Sequence, residues 1–257
     1  MKRVLTAAVL IPLILGLTFW GGNRPVRLAL TFIALLCLSE FMRLAAYYGA
    51  EPMRLVAYLS GAWVVAAEAA PGAPFFLGIT MLLLALALRK GREMSATMIS
   101  VAATLTGVIY TAVPFRLAGD LHQANPHWVF YALVTNWVGD TAAWAAGRTL
   151  GQHKLAPRIS PAKTWEGAAA SFVATLAVGV FYLRQWAPGV SAWPLALGLS
   201  AAVNVAGQVG DLAESALKRG AGVKDSGAVL PGHGGILDRV DGLLFALPVA
   251  WWGLLGR

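Results

Sequence analysis

Between Ser215 and Asp241 the chain reads SALKRGAGVKDSGAVLPGHGGILDRVD. Lys218, Arg219, Lys224, Asp225, His233, Asp238, Arg239 and Asp241 crowd into this stretch, in a protein otherwise built mostly of Leu, Ala, Val and Trp. Charge this dense beside apolar runs is costly to keep near a membrane, and it marks a working site. The chemistry it suggests is transfer between phosphate-bearing anions. Carboxylates would hold a cation, while basic side chains and a glycine turn would hold phosphate.

The metal-type acids are Asp211, Asp238 and Asp241, with Asp140 a fourth that is either a ligand or a structural partner. Asp238 and Asp241 are three residues apart, so they share one side of a helix. Asp140 lies eight residues before Arg148, and Asp211 lies seven before Lys218. At about 1.5 Å per residue both acids sit on the order of 10 Å inside the same face. Carboxylates at that depth are paired, hydrated or bound to metal. Pairing with Lys218, Arg219 or Arg239 is the structural alternative. A hard divalent cation such as Mg²⁺, which takes oxygen ligands, would satisfy several of them at once.

Gly232, Gly234 and Gly235 lead into a helix start whose free amides would receive a phosphate, with Lys218, Arg219, Lys224 and Arg239 around it. His233 either bonds that phosphate or shapes the turn. Ser215 shares a helix face with Asp211 and Lys218. No base completes a nucleophilic triad around it, so it reads as a hydroxyl of the phosphate or metal shell. Upstream, Lys163 stands in SPAKTWEG (Ser160 to Gly167) at a helix entry and reads as an anion contact. Glu40 pairs with Arg43 near the inner interface, and Glu68 lies at an outer span end; both stay outside the site.

The elements that must position these residues are membrane spans. Of the 257 residues 58% are apolar and 12% charged, where an ordinary soluble domain carries about 25% charged. Mean hydropathy is +0.66. This excludes an ordinary soluble domain. The net charge of +8 comes from Lys and Arg in the breaks between apolar runs. That placement favours membrane orientation and anionic headgroups over nucleic acid.

Nine runs are predicted as transmembrane helices: 4–20, 26–45, 54–70, 73–88, 97–115, 127–147, 166–186, 193–215 and 236–255. Fifteen of the 20 basic residues fall in one alternate set of breaks, which puts the N-terminus in the cytoplasm. The first run begins like a signal peptide but has no small-x-small cleavage site, and is kept as an uncleaved span. Trp residues near span ends form an interfacial belt. Cys37 is alone, so no disulfide forms within the chain. The expected architecture is all-α and polytopic. It is one helical membrane domain over 1–257, with N-terminal spans in 1–120 and spans carrying the site in 121–257.

The signature SALKR, KD and LPGHGGILDRVD, with the upstream blocks GDTAAWAAGRTLGQHKLAPRISPAKTWEG (Gly139 to Gly167) and GDLAES (Gly210 to Ser215), resembles the phosphatidate cytidylyltransferases, or CDP-diacylglycerol synthases. The likeness covers most of the C-terminal half; the N-terminal half matches only as apolar spans. It implies that CTP and phosphatidic acid react to CDP-diacylglycerol and pyrophosphate for phospholipid biosynthesis. Mg²⁺ is required, and a second cation is compatible with the site. It also implies a homodimer in the cell's inner membrane with a site open to the cytoplasm.

On that likeness Asp211, Asp238 and Asp241 hold metal, helped by Asp140. Lys218, Arg219, Lys224, Arg239 and the Gly232 to Gly235 turn bind triphosphate. Ser215 and Asp225 complete the shell, and Lys163 and His153 meet the lipid phosphate. Rival readings are a CTP-dependent polyprenol or phytol kinase, an ether-lipid CDP-synthase, and a cation or proton transporter. The chain has no internal repeat of the kind many transporters carry.

Overall fold

The computed structural model describes residues 2–89, 94–229 and 234–256. Among them the helices are α1 (Lys2–Trp20), α2 (Asn23–Tyr47), α3 (Arg54–Ala66), α4 (Ala73–Arg89), α5 (Met94–Ala124), α6 (Pro126–Thr149), α7 (Trp165–Trp186), α8 (Trp193–Gly220) and α9 (Leu237–Leu254). Two short antiparallel strands, β1 (Lys154–Ala156) and β2 (Ser160–Thr164), form a hairpin between α6 and α7. The fold is all-α in its main body, as the apolar runs require. In lipid, a helix satisfies its backbone hydrogen bonds within the segment.

Among the described residues four helices are long and apolar enough to cross a membrane, over Asn23–Tyr47, Ala96–Ala124, Trp165–Trp186 and Trp193–Gly220. Large apolar side chains also face outward, among them Leu28, Phe32, Leu55, Met81, Phe181 and Trp252. Lipid is the solvent that such a surface suits. Each of the nine predicted runs falls on a helix, and the hairpin is a feature the hydropathy pattern does not contain.

Local sequence sets the helix starts nearest the site. Asn125 caps α6, accepting from the His127 amide at 3.0 Å, with Pro126 in the first turn where its missing N–H costs nothing. Thr164, the last residue of β2, caps α7 by accepting from the Gly167 amide at 3.1 Å. The hairpin is thereby tied to α7, which fixes Lys163 one residue ahead of that cap.

α3 stops at Ala66, short of the predicted 70. Its 13 residues, at about 1.5 Å each, span on the order of 20 Å, less than a bilayer's hydrocarbon core of about 30 Å. Two arginines explain how its carbonyl end is tolerated. The buried Arg116 donates from Nη1 to the carbonyls of Ala67 (2.5 Å) and Ala69 (3.2 Å), and from Nη2 to Glu68 (3.0 Å). Arg27 donates to Val65 and Ala67 at 3.3 Å. Asp120 pairs with both, 3.0 Å from Arg116 Nε and 3.2 Å from Arg27 Nη2. Arg116→Ala is therefore expected to cost about 3 kcal/mol of stability, since it strips the carbonyl end and leaves Asp120 half-paired. Arg116→Lys should recover little of it, because an ammonium cannot present the guanidinium fork. Thermal unfolding in detergent reads both.

Two apolar cores share one wall. α2, α3 and α5 pack around Leu38, Met42, Val64 and Phe115, and meet Leu237 and Leu244 of α9. α6, α7 and α8 pack around Leu121, Tyr131, Leu183 and Val203, and meet Leu243 and Leu247 of the same helix. α9 thus stands between the N-terminal helices and the helices that carry the upstream motifs. Its contact with α8 is close: a methyl on Gly210 would lie 2.6 Å from the Asp241 carbonyl oxygen, so only glycine fits there. The Tyr48 hydroxyl donates to the Leu217 carbonyl at 2.6 Å and joins the end of α2 to the end of α8.

Candidate active site

α8 presents Gln208, Asp211, Ser215 and Lys218 along one stripe, because residues three and four apart stack on a helix face. Three other elements converge on it: α6 with Asp140, β2 with Lys163, and α9 with Asp238 and Asp241. Asp211 is the centre. Its Oδ2 lies 2.6 Å from Lys163 Nζ, and its Oδ1 accepts from Ser215 Oγ at 3.4 Å. Asp140 lines the same crevice as Lys163 and Asp211, and Asp241 packs against Gly210, the residue before Asp211. Asp140 accepts from Asn136 Nδ2 at 3.5 Å, and Asp241 Oδ1 from the Gly242 amide at 2.8 Å. Asp140, Asp211, Asp241, Ser215 and Lys163 therefore form one cluster.

A second knot lies beside it, nearer the end of α8. Lys218 is buried and forms ion pairs with Glu214 and with Asp238, the latter at 2.6 Å. Asp238 also accepts from the amides of Ser226 at 3.1 Å and Gly235 at 2.7 Å. Lys218 and Asp238 thus hold each other and tie the end of α8 to the start of α9.

The amides at that helix start are expected to be free for an anion. In the fold they are not. Gly235 donates to Asp238, while Ile236 and Leu237 donate to Glu40 at 3.1 and 2.8 Å. Carboxylates complete the first turn of α9 in place of a phosphate. Gly234 has φ +78°, a left-handed conformation that favours glycine, and it lies beside Asp225 and Asp238. Gly232 and His233, also expected in the turn, lie outside the described residues.

The remaining basic candidates stand at the rim. Arg219 is exposed and donates to the Ile159 carbonyl at 3.3 Å, which fastens the hairpin to the end of α8. Lys224, Asp225 and Arg239 are exposed. His153 does not join the cluster: its Nδ1 lies 2.6 Å from Glu166 Oε1, at the foot of α7.

A crevice of about 260 Å³ opens beneath Lys163, lined by Asp140, Trp144, Lys163, Ser171, Gln208 and Asp211 among others. Its polar end is the carboxylate cluster, and its walls include Ala143, Ala162 and Ala168.

No three His, Cys, Asp or Glu side chains among the described residues are arranged as a ready metal cage. The donors at the cluster are all oxygens, which fits a hard cation. Mg²⁺ in particular is held by one or two carboxylates plus water and substrate phosphates rather than by a protein cage. Asp140 and Asp211, which line one crevice, are of that type. The oxygens of Asp238 are already engaged.

Sequence reasoning leaves two acids without their place. Glu214 is fully buried against Lys218; its signal is the i, i+4 spacing to that lysine inside an apolar run. Glu40 is fully buried too. Arg43, its expected partner, is 3.7 Å away and nearly half exposed, whereas the close partners come from the far end of the chain. No local spacing signals that.

A model of the cytidylyltransferase family matches residues 1–255. The chain is 41% identical over 145 residues to the phosphatidate cytidylyltransferase of Staphylococcus aureus (strain COL), covering 56% of this chain and 55% of that protein. It is 46% identical over 134 residues to that of Bacillus subtilis (strain 168), covering 52% and 49%. The matched region therefore spans about half the length of these curated relatives. With the family pattern running through both the N-terminal helices and the charged cluster, the chain belongs to the cytidylyltransferase family.

Proposed function

We propose that this protein transfers the cytidylyl group of CTP to phosphatidic acid, giving CDP-diacylglycerol and pyrophosphate. The single observation that carries the reading is the stripe on α8, where the part-buried Lys163–Asp211 pair is followed toward the helix end by basic residues. Two polyanionic reactants must meet here, one from the bilayer and one from water. Family membership and the names of the relatives support the same reaction.

In-line displacement needs the nucleophile and the leaving group on opposite sides of the α-phosphorus. In this reading the lipid phosphate lies at Lys163, above the crevice, with its oxyanion as the attacking atom. The bond broken joins the α-phosphorus to the bridging oxygen, and pyrophosphate leaves toward Arg219, Lys224 and Arg239 at the rim. No strong general base is required, because the attacking phosphate is already anionic. Ser215 bonds Asp211 and orients it. Lys218 and Asp238 keep α8 and α9 in register, and Asp225 with Gly234 and Gly235 shapes the approach to the rim. Asp140, Asp211 and Asp241 would hold Mg²⁺. When bound, such a cation neutralises charge on the phosphates as they come together.

The same reading takes nine spans of a single domain in the cell membrane, α3 completing its crossing through residues 67–70. The N-terminus and the site face the cytoplasm, on the strength of the basic bias of that set of breaks. A homodimer follows from the family likeness.

The test is an assay of purified protein with CTP labelled in the cytidine ring, phosphatidic acid and Mg²⁺. Label is expected in the lipid product, and EDTA is expected to stop the reaction. A labelled base that stays water-soluble while the lipid gains phosphate would indicate a kinase instead.

A further inference from the structure

Glu40 lies near the end of α2, more than 180 residues from the segment it touches. Its carboxylate is fully buried. Oε1 accepts from the Ile236 amide at 3.1 Å, and Oε2 from the Leu237 amide at 2.8 Å and Ser226 Oγ at 3.0 Å. These partners stand at the two described ends of the glycine segment: Ser226 before it, and the first turn of α9 after it. Ser226 is itself held a second way, since its amide donates to Asp238, the partner of Lys218.

The glycines around Glu40 are matched to it. A methyl on Gly227 or on Gly235 would collide with the Glu40 carboxylate. A buried carboxylate needs several donors to be tolerated, and here backbone amides and one hydroxyl supply them. The surface pair with Arg43 accounts for little of this, being long and nearly half exposed.

We propose that Glu40 is a positioning residue for the cytidylyl-transfer site. It clamps both ends of the glycine segment to α2, which sets the first turn of α9 and the Lys218–Asp238 pair against the basic rim. Glu40 acts through these contacts and does not touch substrate, because Ser226, Gly227 and Gly235 lie over its carboxylate. The proposal rests on the CTP reading above for its kinetic consequence, while the clamp itself is independent of that reading.

Glu40→Gln keeps size and shape but replaces one acceptor oxygen with a donor that cannot receive an amide N–H. The KM for CTP is expected to rise about 10- to 100-fold, with the KM for phosphatidic acid unchanged. Hydrogen exchange of the Ile236 and Leu237 amides should accelerate while that of α5 and α7 stays at the wild-type rate. Glu40→Asp, which keeps both acceptors at a shorter reach, should fall between, and Arg43→Ala should match wild type. Unchanged exchange at Ile236 and Leu237 in Glu40→Gln would overturn the clamp. An equal loss on both substrates, with unfolding lowered throughout, would reduce Glu40 to general packing and overturn the positioning role. If the wild-type protein forms no CDP-lipid, the functional reading fails, and the exchange measurement still decides the clamp.

Discussion

Lys218→Met is expected to abolish turnover and to lower stability by about 3–5 kcal/mol, the cost of removing one partner from a buried ionic group. The lysine side chain is 11% exposed and touches both Glu214 and Asp238. Without it, two carboxylates face each other in a low-dielectric interior. Asp238 keeps its backbone donors from Ser226 and Gly235, so the uncompensated charge falls mainly on Glu214. The double variant Lys218→Met/Glu214→Gln should accordingly regain much of the stability and none of the activity. Thermal unfolding in detergent separates the two effects. A Lys218→Met protein with wild-type turnover would remove this residue from the site altogether.

The second large effect is at Asp211. Asp211→Asn is expected to reduce turnover about a thousandfold, the order expected when a cation that stabilises transition-state charge loses its ligand. Folding should be little affected. The Asp211 side chain is more than a third exposed, and Lys163, its partner, can turn to solvent, so the pair contributes little to stability. Asp241→Asn should behave alike in activity, and added Mg²⁺ should restore neither. The contrast with Lys218 is the point of the comparison: one substitution damages fold and chemistry together, the other chemistry alone. Turnover within a few fold of wild type in Asp211→Asn would sink the carboxylate assignment.

The balance of charges explains why both residues matter. Glu40, Glu214, Asp211, Asp238 and Asp241 bring five carboxylates to the meeting of α2, α8 and α9, while Lys163 and Lys218 are the lysines paired among them. In the proposed reading, the carboxylates not matched by a lysine are where a divalent cation would bind. The exposed Arg219, Lys224 and Arg239 sit beyond it, where a triphosphate would arrive from water.

The elements themselves were legible in the chain. In lipid a backbone hides its polar groups in helices, so an apolar run is a helix; each of the nine runs falls on one, and four of those among the described residues are long and apolar enough to cross. Asp211, Ser215 and Lys218 could be placed on one face because a helix has a fixed period, and that stripe is present. Spacing within an element is a local property, and a sequence states it directly.

What lay beyond the chain's own text is everything that depends on which elements touch. Glu40 and Leu237 are 197 positions apart, and nothing in the neighbourhood of either announces the other. The amides at the start of α9 read as open because a helix start is open until a neighbour fills it; α2 fills it. α3 can end early because Arg27 and Arg116, on two other helices, satisfy carbonyls at and just past its end. The hairpin escaped notice since its strands are three and five residues long and owe their order to the Thr164 cap. Residue types and their helical period settled where chemistry could occur, whereas partner choice for each buried charge depended on the packing of helices distant in sequence, because a charge removed from water is satisfied by whatever the fold brings within hydrogen-bonding distance.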